Sequence, residues 1–303
     1  MIDKRLTYII LFLCVSLLSF AQSATNRFLT PSDTLNTSRR NAVVISEASL
    51  AGITLVGLNQ LWYADYERSK FHTINDNKEW LQMDKMGHVF TSYQIGKFGA
   101  DLLSWSGASE KDQLIYGSTL GFGFLTAVEV LDGFSEEWGF SWGDIIANAS
   151  GTGLYVGQQL LWNEQRILLK FSYHETMYAS QRSDKLGNGF FERVLKDYNG
   201  QTYWLSVNLS SFFKESKLPK WLNLAFGYGA DGMLSGVSEE NNLNLPDYNR
   251  YRQYYLSLDV DLSKLQTKSQ LLRTVFEVFN TIKIPFPTLE INKNGCAFHL
   301  FYI

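Results

Sequence analysis

Hydrophobic and polar positions follow two different periods along this chain. Four long apolar stretches come first, at about residues 42–62, 85–105, 112–131 and 142–162, and each is long enough for a helix. The first of them carries Glu47 as its one charged residue and is rich in Ala, Gly and Ser, which allow helices to approach closely. The pattern therefore predicts a unit of four apolar helices.

Beyond Arg166, apolar and polar residues alternate as they do in β-strands. The predicted strands are Ile167–Tyr178, Trp204–Leu209, Trp221–Gly229, Tyr254–Leu262, Ile282–Ile291 and Ala297–Ile303, with one helix near Ser269–Phe279. The chain is thus predicted to be α+β, with a helical bundle followed by a mostly antiparallel β region. Alternation fits a sheet packed on the helices or a small membrane barrel with a lipid-facing side, and the small number of strands favours the sheet.

The amino terminus has the pattern of a secretory signal peptide. Lys4 and Arg5 precede an apolar run of 13 residues, Tyr8 to Phe20, which is shorter than the roughly 20 residues that a spanning helix needs. Small and polar residues follow at Ala21. We predict a signal peptide over residues 1–21, a flexible leader over 22–41, a helical domain over 42–165 and a β-rich domain over 166–303. The mature chain is therefore expected outside the cytoplasm.

Composition narrows the class of protein further. Hydrophobic residues make 45% of the chain, which excludes a disordered protein, and the net charge of −3 offers no basic surface for nucleic acid. Aromatic residues reach 15%, a content that suits β-strands and membrane interfaces. Cys14 lies in the predicted signal peptide, so Cys296 remains alone after cleavage and no internal disulfide can form. We expect Cys296 to be a small buried residue near the last strand.

Three pairs of polar residues stand near the ends of predicted helices. The members of each pair are three or four residues apart, so they share one helix face. The pairs are Asp84 with His88, Glu129 with Asp132, and Asp144 with Asn148. If successive helices run antiparallel, the start of the second, the end of the third and the start of the fourth lie at one end of the bundle. We therefore expect the pairs to converge.

One interpretation of this convergence is a catalytic or metal site. Glu129 or Asp84 would act as general base, His88 as general acid or metal ligand, and Asp144 would orient the histidine. A divalent metal, if one binds, would be held by His88, Glu129 and Asp132. The sequence holds no established zinc signature, so the cofactor stays unknown.

The other interpretation is structural. Buried carboxylates would pair with Lys85 and His88, and Ser141 would cap the fourth helix. Asp144 and Asn148 would then fix how the helices pack. Spacing alone favours this structural interpretation, because an Asp-x-x-x-His spacing is common by chance.

These residues resemble a known family. Asp84-Lys85-x-x-His88, then Gly121-Phe122-Gly123 leading to Glu129-x-x-Asp132, and Ser141-Trp142-x-Asp144 are similar to the YfiM-like family of predicted periplasmic lipoproteins, domain of unknown function 2279. A weaker similarity is to VanZ-like membrane proteins, which share the Asp-Lys-x-x-His helix, a later Glu and an Asp-x-x-x-Asn pattern. The resemblance covers about residues 80–160, roughly a quarter of the chain. It implies a location in the envelope of a Gram-negative bacterium and no assigned activity.

The chain departs from that family in its cysteine. Cys14 follows Leu13 rather than a small residue, so it is a poor acceptor for lipid attachment. The aromatic, strand-rich remainder is similar to exported proteins of the Bacteroidetes type. We therefore expect the protein to face the periplasm or to lie in the outer membrane.

Three hypotheses for function remain open. The first is a membrane-associated envelope protein with a structural or assembly role, whose partners are membrane or envelope components and a further protein. The second is a hydrolase or transferase that acts on a lipid or envelope substrate through the cluster of polar pairs. The third is a ligand-binding or transport module that uses the β-rich half as its receptor surface.

Overall fold

The computed structural model describes residues 25–64, 66–237, 246 and 248–302. The predicted signal peptide, with Cys14, lies outside the described residues. The helical part consists of α1 (Thr37–Leu58), α2 (Met83–Trp105), α3 (Leu120–Asp132) and α4 (Trp142–Trp162), followed by a six-stranded antiparallel sheet. This confirms the predicted α+β class with its helices first.

Two of the four helices begin at other residues than the apolar pattern predicts. Helix α1 begins at Thr37 because the Asn36 side chain caps it, accepting a hydrogen bond from the backbone N–H of Arg39, and a π-helical turn, Asn59–Tyr63, follows it. Helix α3 is shorter than predicted, because a helical turn, Glu110–Asp112, and a π-helical turn, Gln113–Gly117, precede it. The apolar pattern along the sequence does not show where such breaks fall.

Glycines bring the helices of the bundle into backbone contact. A Cβ added at Gly121 of α3 would lie 2.2 Å from the carbonyl oxygen of Ser92, and one at Gly151 of α4 would lie 2.1 Å from that of Val89. Both partner residues belong to α2. No side chain larger than hydrogen fits at either contact, so α2 is clamped between α3 and α4 at backbone distance.

The six strands of the sheet are hydrogen-bonded in the order in which they follow one another along the chain. A small parallel pair, β1 (Thr73–Ile74) and β2 (Phe140–Ser141), comes before the sheet. The strands of the sheet are β3 (Ile167–Tyr173), β4 (Gln201–Asn208), β5 (Leu222–Asp231), β6 (Tyr251–Val260), β7 (Phe286–Asn292) and β8 (Gly295–Tyr302). Helix α5 (Phe190–Lys196) lies between β3 and β4, and α6 (Gln270–Phe279) between β6 and β7, with short turns at Ser183–Leu186 and Leu209–Phe212.

The sheet is rolled about an interior. The rings of Trp204 on β4 and Tyr302 on β8 lie 5.9 Å apart, although four strand spacings would separate them by about 19 Å in a flat sheet. The outer edge of β3 is also paired, since Phe171 exchanges backbone hydrogen bonds with Thr281 and Lys283, at 3.0 and 2.9 Å. The side chains of the concave face therefore meet one another.

The two faces of the rolled sheet have an inverted polarity. The concave face buries the polar and charged side chains of Lys170, Ser206, Asn223, Ser257, Asp259, Thr288 and Glu290. The convex face leaves apolar side chains 37% to 69% exposed: Leu205, Phe226, Leu256, Leu258, Leu289, Ile291 and Phe298. The interior also buries the rings of Trp204, Tyr255 and Tyr302, so polar and aromatic side chains are buried together there, whereas aliphatic side chains are exposed on the convex face.

The prediction that Cys296 is buried is wrong. Cys296 is exposed on β8, opposite Ile291 of β7. Its side chain shares the convex face with Ile291, which is 47% exposed, whereas α2 covers the part of that face near Phe171 and Tyr203. The sequence placed Cys296 near the last strand but could not show that its side chain lies on the outer face.

Helix α1 is also apolar and exposed. Val43 is its buried residue, whereas Ile45, Leu50, Ile53 and Val56 are between 61% and 68% exposed. Two helical stretches of the described chain, Thr37–Leu58 and Glu110–Asp132, are long and apolar enough to cross a membrane, and the first is almost wholly unburied.

Candidate functional site

The structure brings the three polar pairs together at one end of the helical bundle. The Nε2 atom of His88 lies 3.6 Å from Glu129 Oε1, 3.8 Å from Asp144 Oδ1 and 3.9 Å from Asp84 Oδ1. These residues, with Lys85, form what we call the carboxylate–histidine cluster. Each side chain comes from the start of α2 or α4 or from the end of α3.

A left-handed turn positions the start of α2. Trp80, Leu81 and Gln82 have φ values of 46°, 51° and 66°, a conformation that costs a residue with a Cβ roughly 1–2 kcal/mol. The backbone N–H of Trp80 donates to the carbonyl of Gly236 at 2.8 Å, and the Tyr228 hydroxyl donates to the carbonyl of Leu81. Contacts to the sheet half therefore hold this strained turn, and strain of this kind concentrates at functional sites.

Ser141 connects α4 to the cluster. Its hydroxyl caps the helix by accepting the backbone N–H of Asp144 at 3.2 Å, and it donates to Asp76 Oδ1 at 2.6 Å. Its own backbone N–H donates to Glu129 Oε2 at 3.1 Å. Ser141 thus holds Asp76, Glu129 and the start of α4, which carries Asp144, relative to one another.

Lys85 supplies positive charge between the carboxylates. Its Nζ lies 2.6 Å from Asp76 Oδ2, 2.7 Å from Asp144 Oδ1 and 3.3 Å from Asp84 Oδ2. The role of Asp76 was not predicted, because it lies in the loop before α2 and shares no helical spacing with the other residues. Its place after β1, next to a polar helix start, is the one sequence feature that points to it.

His88 is oriented by Asn148. The Nδ1 of His88 lies 3.0 Å from the amide oxygen of Asn148, so Nδ1 carries the hydrogen and Nε2 faces the carboxylates. Burial opposes protonation, but the charges of Asp84, Asp144 and Glu129 outweigh it and raise the pKa of His88 above its usual value. Burial, together with the charge of Asp84, raises the pKa of Asp144 to about 7. Asp144 can therefore exchange a proton near neutral pH.

Acidic groups outnumber basic ones around this site. The acidic side chains are Asp76, Asp84, Glu129, Asp132 and Asp144, and the basic ones are Lys85 and His88. Asp132 lies at the edge, where its Oδ1 accepts a hydrogen bond from the Tyr63 hydroxyl at 2.6 Å. Asp84 accepts one from the Tyr198 hydroxyl at 2.7 Å, a contact from the segment before β4 that the sequence did not reveal.

The donor set could hold a divalent cation, although with different ligands from those predicted. Asp84, His88 and Asp144 each offer a ligand atom within 4.8 Å of the others, whereas the predicted set was His88, Glu129 and Asp132. Asp144 Oδ1 already lies 2.7 Å from the Lys85 ammonium. That ammonium competes with a metal ion for the same oxygen, so the divalent metal stays a prediction.

Two recesses meet at the cluster. A cavity of about 440 Å³ is lined by Asp84, Trp80, Trp138, Tyr198 and charged side chains from several loops. A more open apolar groove of about 260 Å³ is lined by His88, Asp84, Phe90, Phe171 and Tyr203. Asp84 and Tyr198 line both, so the cluster is reachable from a polar side and from an apolar side.

Comparison with known protein families identifies the site-bearing segment. Residues 74–158 match the model of a family described as "Predicted periplasmic lipoprotein (DUF2279)". The resemblance to the YfiM-like family is thereby confirmed for this segment. The segment contains all of the carboxylate–histidine cluster and Asp76, Ser141 and Asn148, whereas the sheet lies beyond it.

A search of the curated proteins and a search of the solved structures each found no match. They do not show the weaker similarity to VanZ-like proteins. The family description names the periplasm, in agreement with an export signal at the amino terminus, and it carries no activity. An outer-membrane location and a Bacteroidetes source stay predictions.

Proposed function

We propose that this chain is an exported protein embedded in an envelope membrane, where its role is structural or assembly-related. The observation that carries the proposal is the inverted polarity of the rolled sheet. Proteins in water bury apolar side chains and leave charged ones outside, whereas β-structure in lipid faces its apolar side chains outward and its polar ones inward.

The inversion is clear on β6 between Tyr254 and Asp259. On β6, Tyr254, Leu256 and Leu258 point outward and are exposed, whereas Ser257 and Asp259 point inward and are buried. Strands β5 and β6 each contain ten residues, and a transmembrane β-strand needs about 9–11. Lipid is the solvent that makes this arrangement favourable.

Two helices extend the apolar exterior. Helix α6 exposes Leu271, Val275, Val278 and Phe279, which share one face at helical spacing. Such a face suits the boundary between lipid headgroups and acyl chains. Helix α1, with its exposed apolar side chains, has the length and composition to cross the bilayer. The proposal therefore rests on three separate elements.

Fractionation of cells tests the proposal. We expect the mature protein in the membrane pellet, and specifically in the outer membrane, after a wash at high pH that strips peripheral proteins. A variant without residues 37–58 should stay in the pellet, because the convex face of the sheet still contacts lipid. Release of both proteins into the soluble fraction would overturn the proposal, and release of the shortened variant alone would assign the anchoring to α1.

A second candidate function is acid–base catalysis by a hydrolase or transferase. The observation that favours it is the position of His88 Nε2 among three carboxylates beside two recesses. His88 would donate a proton, Asp84 or Glu129 would accept one, and Asp144 would orient the imidazole. If His88→Gln and Glu129→Gln both complement a deletion phenotype at normal protein level, this candidate is excluded.

A further inference from the structure

We propose that the apolar groove and the charged cavity together bind one membrane amphiphile. Its acyl chain lies in the groove and its zwitterionic headgroup in the cavity, with the junction of the two against Asp84. This inference rests on the proposed membrane location, because the amphiphile would come from the surrounding lipid.

The groove is continuous with the convex face of the sheet. Phe171 on β3 and Tyr203 on β4 occupy outward positions, on the same face as the exposed Leu205. Phe90 of α2 packs against both rings, with centroid distances of 5.7 and 5.6 Å. An apolar wall therefore runs from the lipid-facing surface to the cluster, and an acyl chain can follow it without entering water.

The cavity is polar and lined by aromatic rings. Acidic side chains outnumber basic ones in its wall: Asp76, Glu79, Asp84, Glu137 and Asp184 against Arg182, Lys185 and Lys196. The rings of Trp80 and Trp138 also line it. Carboxylates and aromatic faces both attract an ammonium group, and the cations in the same wall accommodate a phosphate. A headgroup with a net negative charge fits this wall less well than a zwitterionic one.

The junction of the two recesses is built from a few side chains. Asp84, Leu195 and Tyr198 line both recesses. The side chain of Asp84 keeps 28% of its surface exposed, and the Tyr198 ring packs against Trp80 at 5.3 Å. The bond between chain and headgroup of a bound amphiphile would therefore lie beside Asp84, with His88 on the groove side.

Binding of lysolipids to the purified full chain tests the inference. The protein is kept in micelles of a neutral maltoside, and tryptophan fluorescence follows a titration, since Trp80 and Trp138 line the cavity. We expect saturable binding of lysophosphatidylethanolamine. Lysophosphatidylglycerol of the same chain length, which carries a net negative charge, should bind at least tenfold more weakly.

Two variants of α5 provide a matched pair. Leu195→Asp places a charge where chain and headgroup meet and should weaken lysophosphatidylethanolamine binding at least tenfold. Phe191 lies one turn earlier on the same helix, is 82% exposed and lines neither recess, so Phe191→Asp should bind like the wild type. Both side chains are largely exposed, so both variants are expected to fold.

The outcomes separate this inference from the proposed function. Absence of saturable binding, or equal binding by Leu195→Asp and the wild type, would overturn the site. Equal binding of the two lysolipids would overturn the headgroup assignment. If the protein resists the high-pH wash and binds no lysolipid, the inference alone fails. If it binds and is washed into solution, the membrane location fails and the amphiphile site stands.

Discussion

Two of the buried ionic groups in the described part of the chain are built in opposite ways. In the sheet interior, Lys170 Nζ lies 2.8 Å from Asp259 Oδ2, and both side chains are fully buried. Lys170 also donates to the carbonyl of Val260 at 2.7 Å, and Asp259 accepts the Ser206 hydroxyl at 2.6 Å. Each charge meets an opposite charge and has further hydrogen-bond partners.

The carboxylate–histidine cluster differs in charge balance and in access. Carboxylates outnumber its basic groups, and Asp84 opens onto a cavity and a groove. A closed ion pair whose atoms all have partners shapes a fold, whereas an open site whose carboxyl groups have pKa values near neutral pH can take up a proton, a cation or a ligand. On this basis the sheet pair belongs to the scaffold, and the helix-end cluster is the candidate functional site.

The largest effect should follow from breaking the sheet pair. Lys170→Met leaves Asp259 charged and without its lysine, which should lower the free energy of unfolding by about 3–5 kcal/mol. Asp84→Asn should lower it by less than Lys170→Met does, because the side chain is 28% exposed and an asparagine oxygen can still accept the Tyr198 hydroxyl. Thermal unfolding in detergent measures both. A Lys170→Met/Asp259→Leu variant should recover most of the loss, and equal stability of Lys170→Met and Asp84→Asn would contradict the comparison.

A smaller effect should follow from placing charge on the exterior that encloses the sheet pair. Leu256→Lys puts an ammonium on the convex face of β6, which in the proposed membrane location should cost about 2–4 kcal/mol near the bilayer centre. Leu218→Lys is the control, because Leu218 and Leu256 are 39% and 40% exposed and Leu218 lies in the lysine-rich loop before β5. Unfolding in lipid vesicles should separate the two variants. Equal loss in both would mean that water, not lipid, contacts Leu256.

The smallest effect is expected when the pH is changed, because groups of the carboxylate–histidine cluster titrate. Burial raises the pKa of Glu129 to about 8 and that of Asp144 to about 7, and the pKa of His88 is raised as well, so the folded state binds more protons than the unfolded one. The stability from these groups is present at low pH and is lost as pH rises through their folded-state pKa values. Between pH 6 and 8 the unfolding free energy should fall by on the order of 1 kcal/mol.

Replacement of Asp144 tests the origin of that pH dependence. Asp144→Asn should make the decline in the melting temperature between pH 6 and 8 shallower, because the asparagine does not titrate, while Glu129, whose pKa is raised to about 8, keeps part of the slope. A melting temperature that rises over this range, or an unchanged slope in Asp144→Asn, would contradict the assignment.

The sequence predicted the strands well but could not predict what solvates them. Alternation located β6 within three residues at its start, Tyr251 against the predicted Tyr254, because period two survives whichever face is buried. Because the period is two for either face, alternation does not show which face lies inside. The exposed Cys296 shows the limit, since its apolar neighbours are compatible with a buried face and with a lipid-facing one.

For the candidate site, helical spacing predicted which residues share a helix face, but it did not predict which other segments contribute residues. It grouped Asp84 with His88, but it could not include Asp76 or Tyr198, which reach the cluster from segments without helical periodicity. Nor could it predict the left-handed turn before α2, because Trp80 and Leu81 have no intrinsic preference for positive φ. Tertiary contacts decide these features.

Spin labels along β6 test the inverted polarity most directly. The labels are attached, one per variant, to single cysteines at positions 254, 256, 257 and 258 of a Cys296→Ser protein reconstituted in vesicles. Labels at 254, 256 and 258 should collide more with dissolved oxygen, which concentrates in lipid, than with a water-soluble nickel chelate, and the label at 257 should be shielded from both. If the nickel chelate reaches 254, 256 and 258 as freely as a label at 218, the convex face lies in water and the account is wrong.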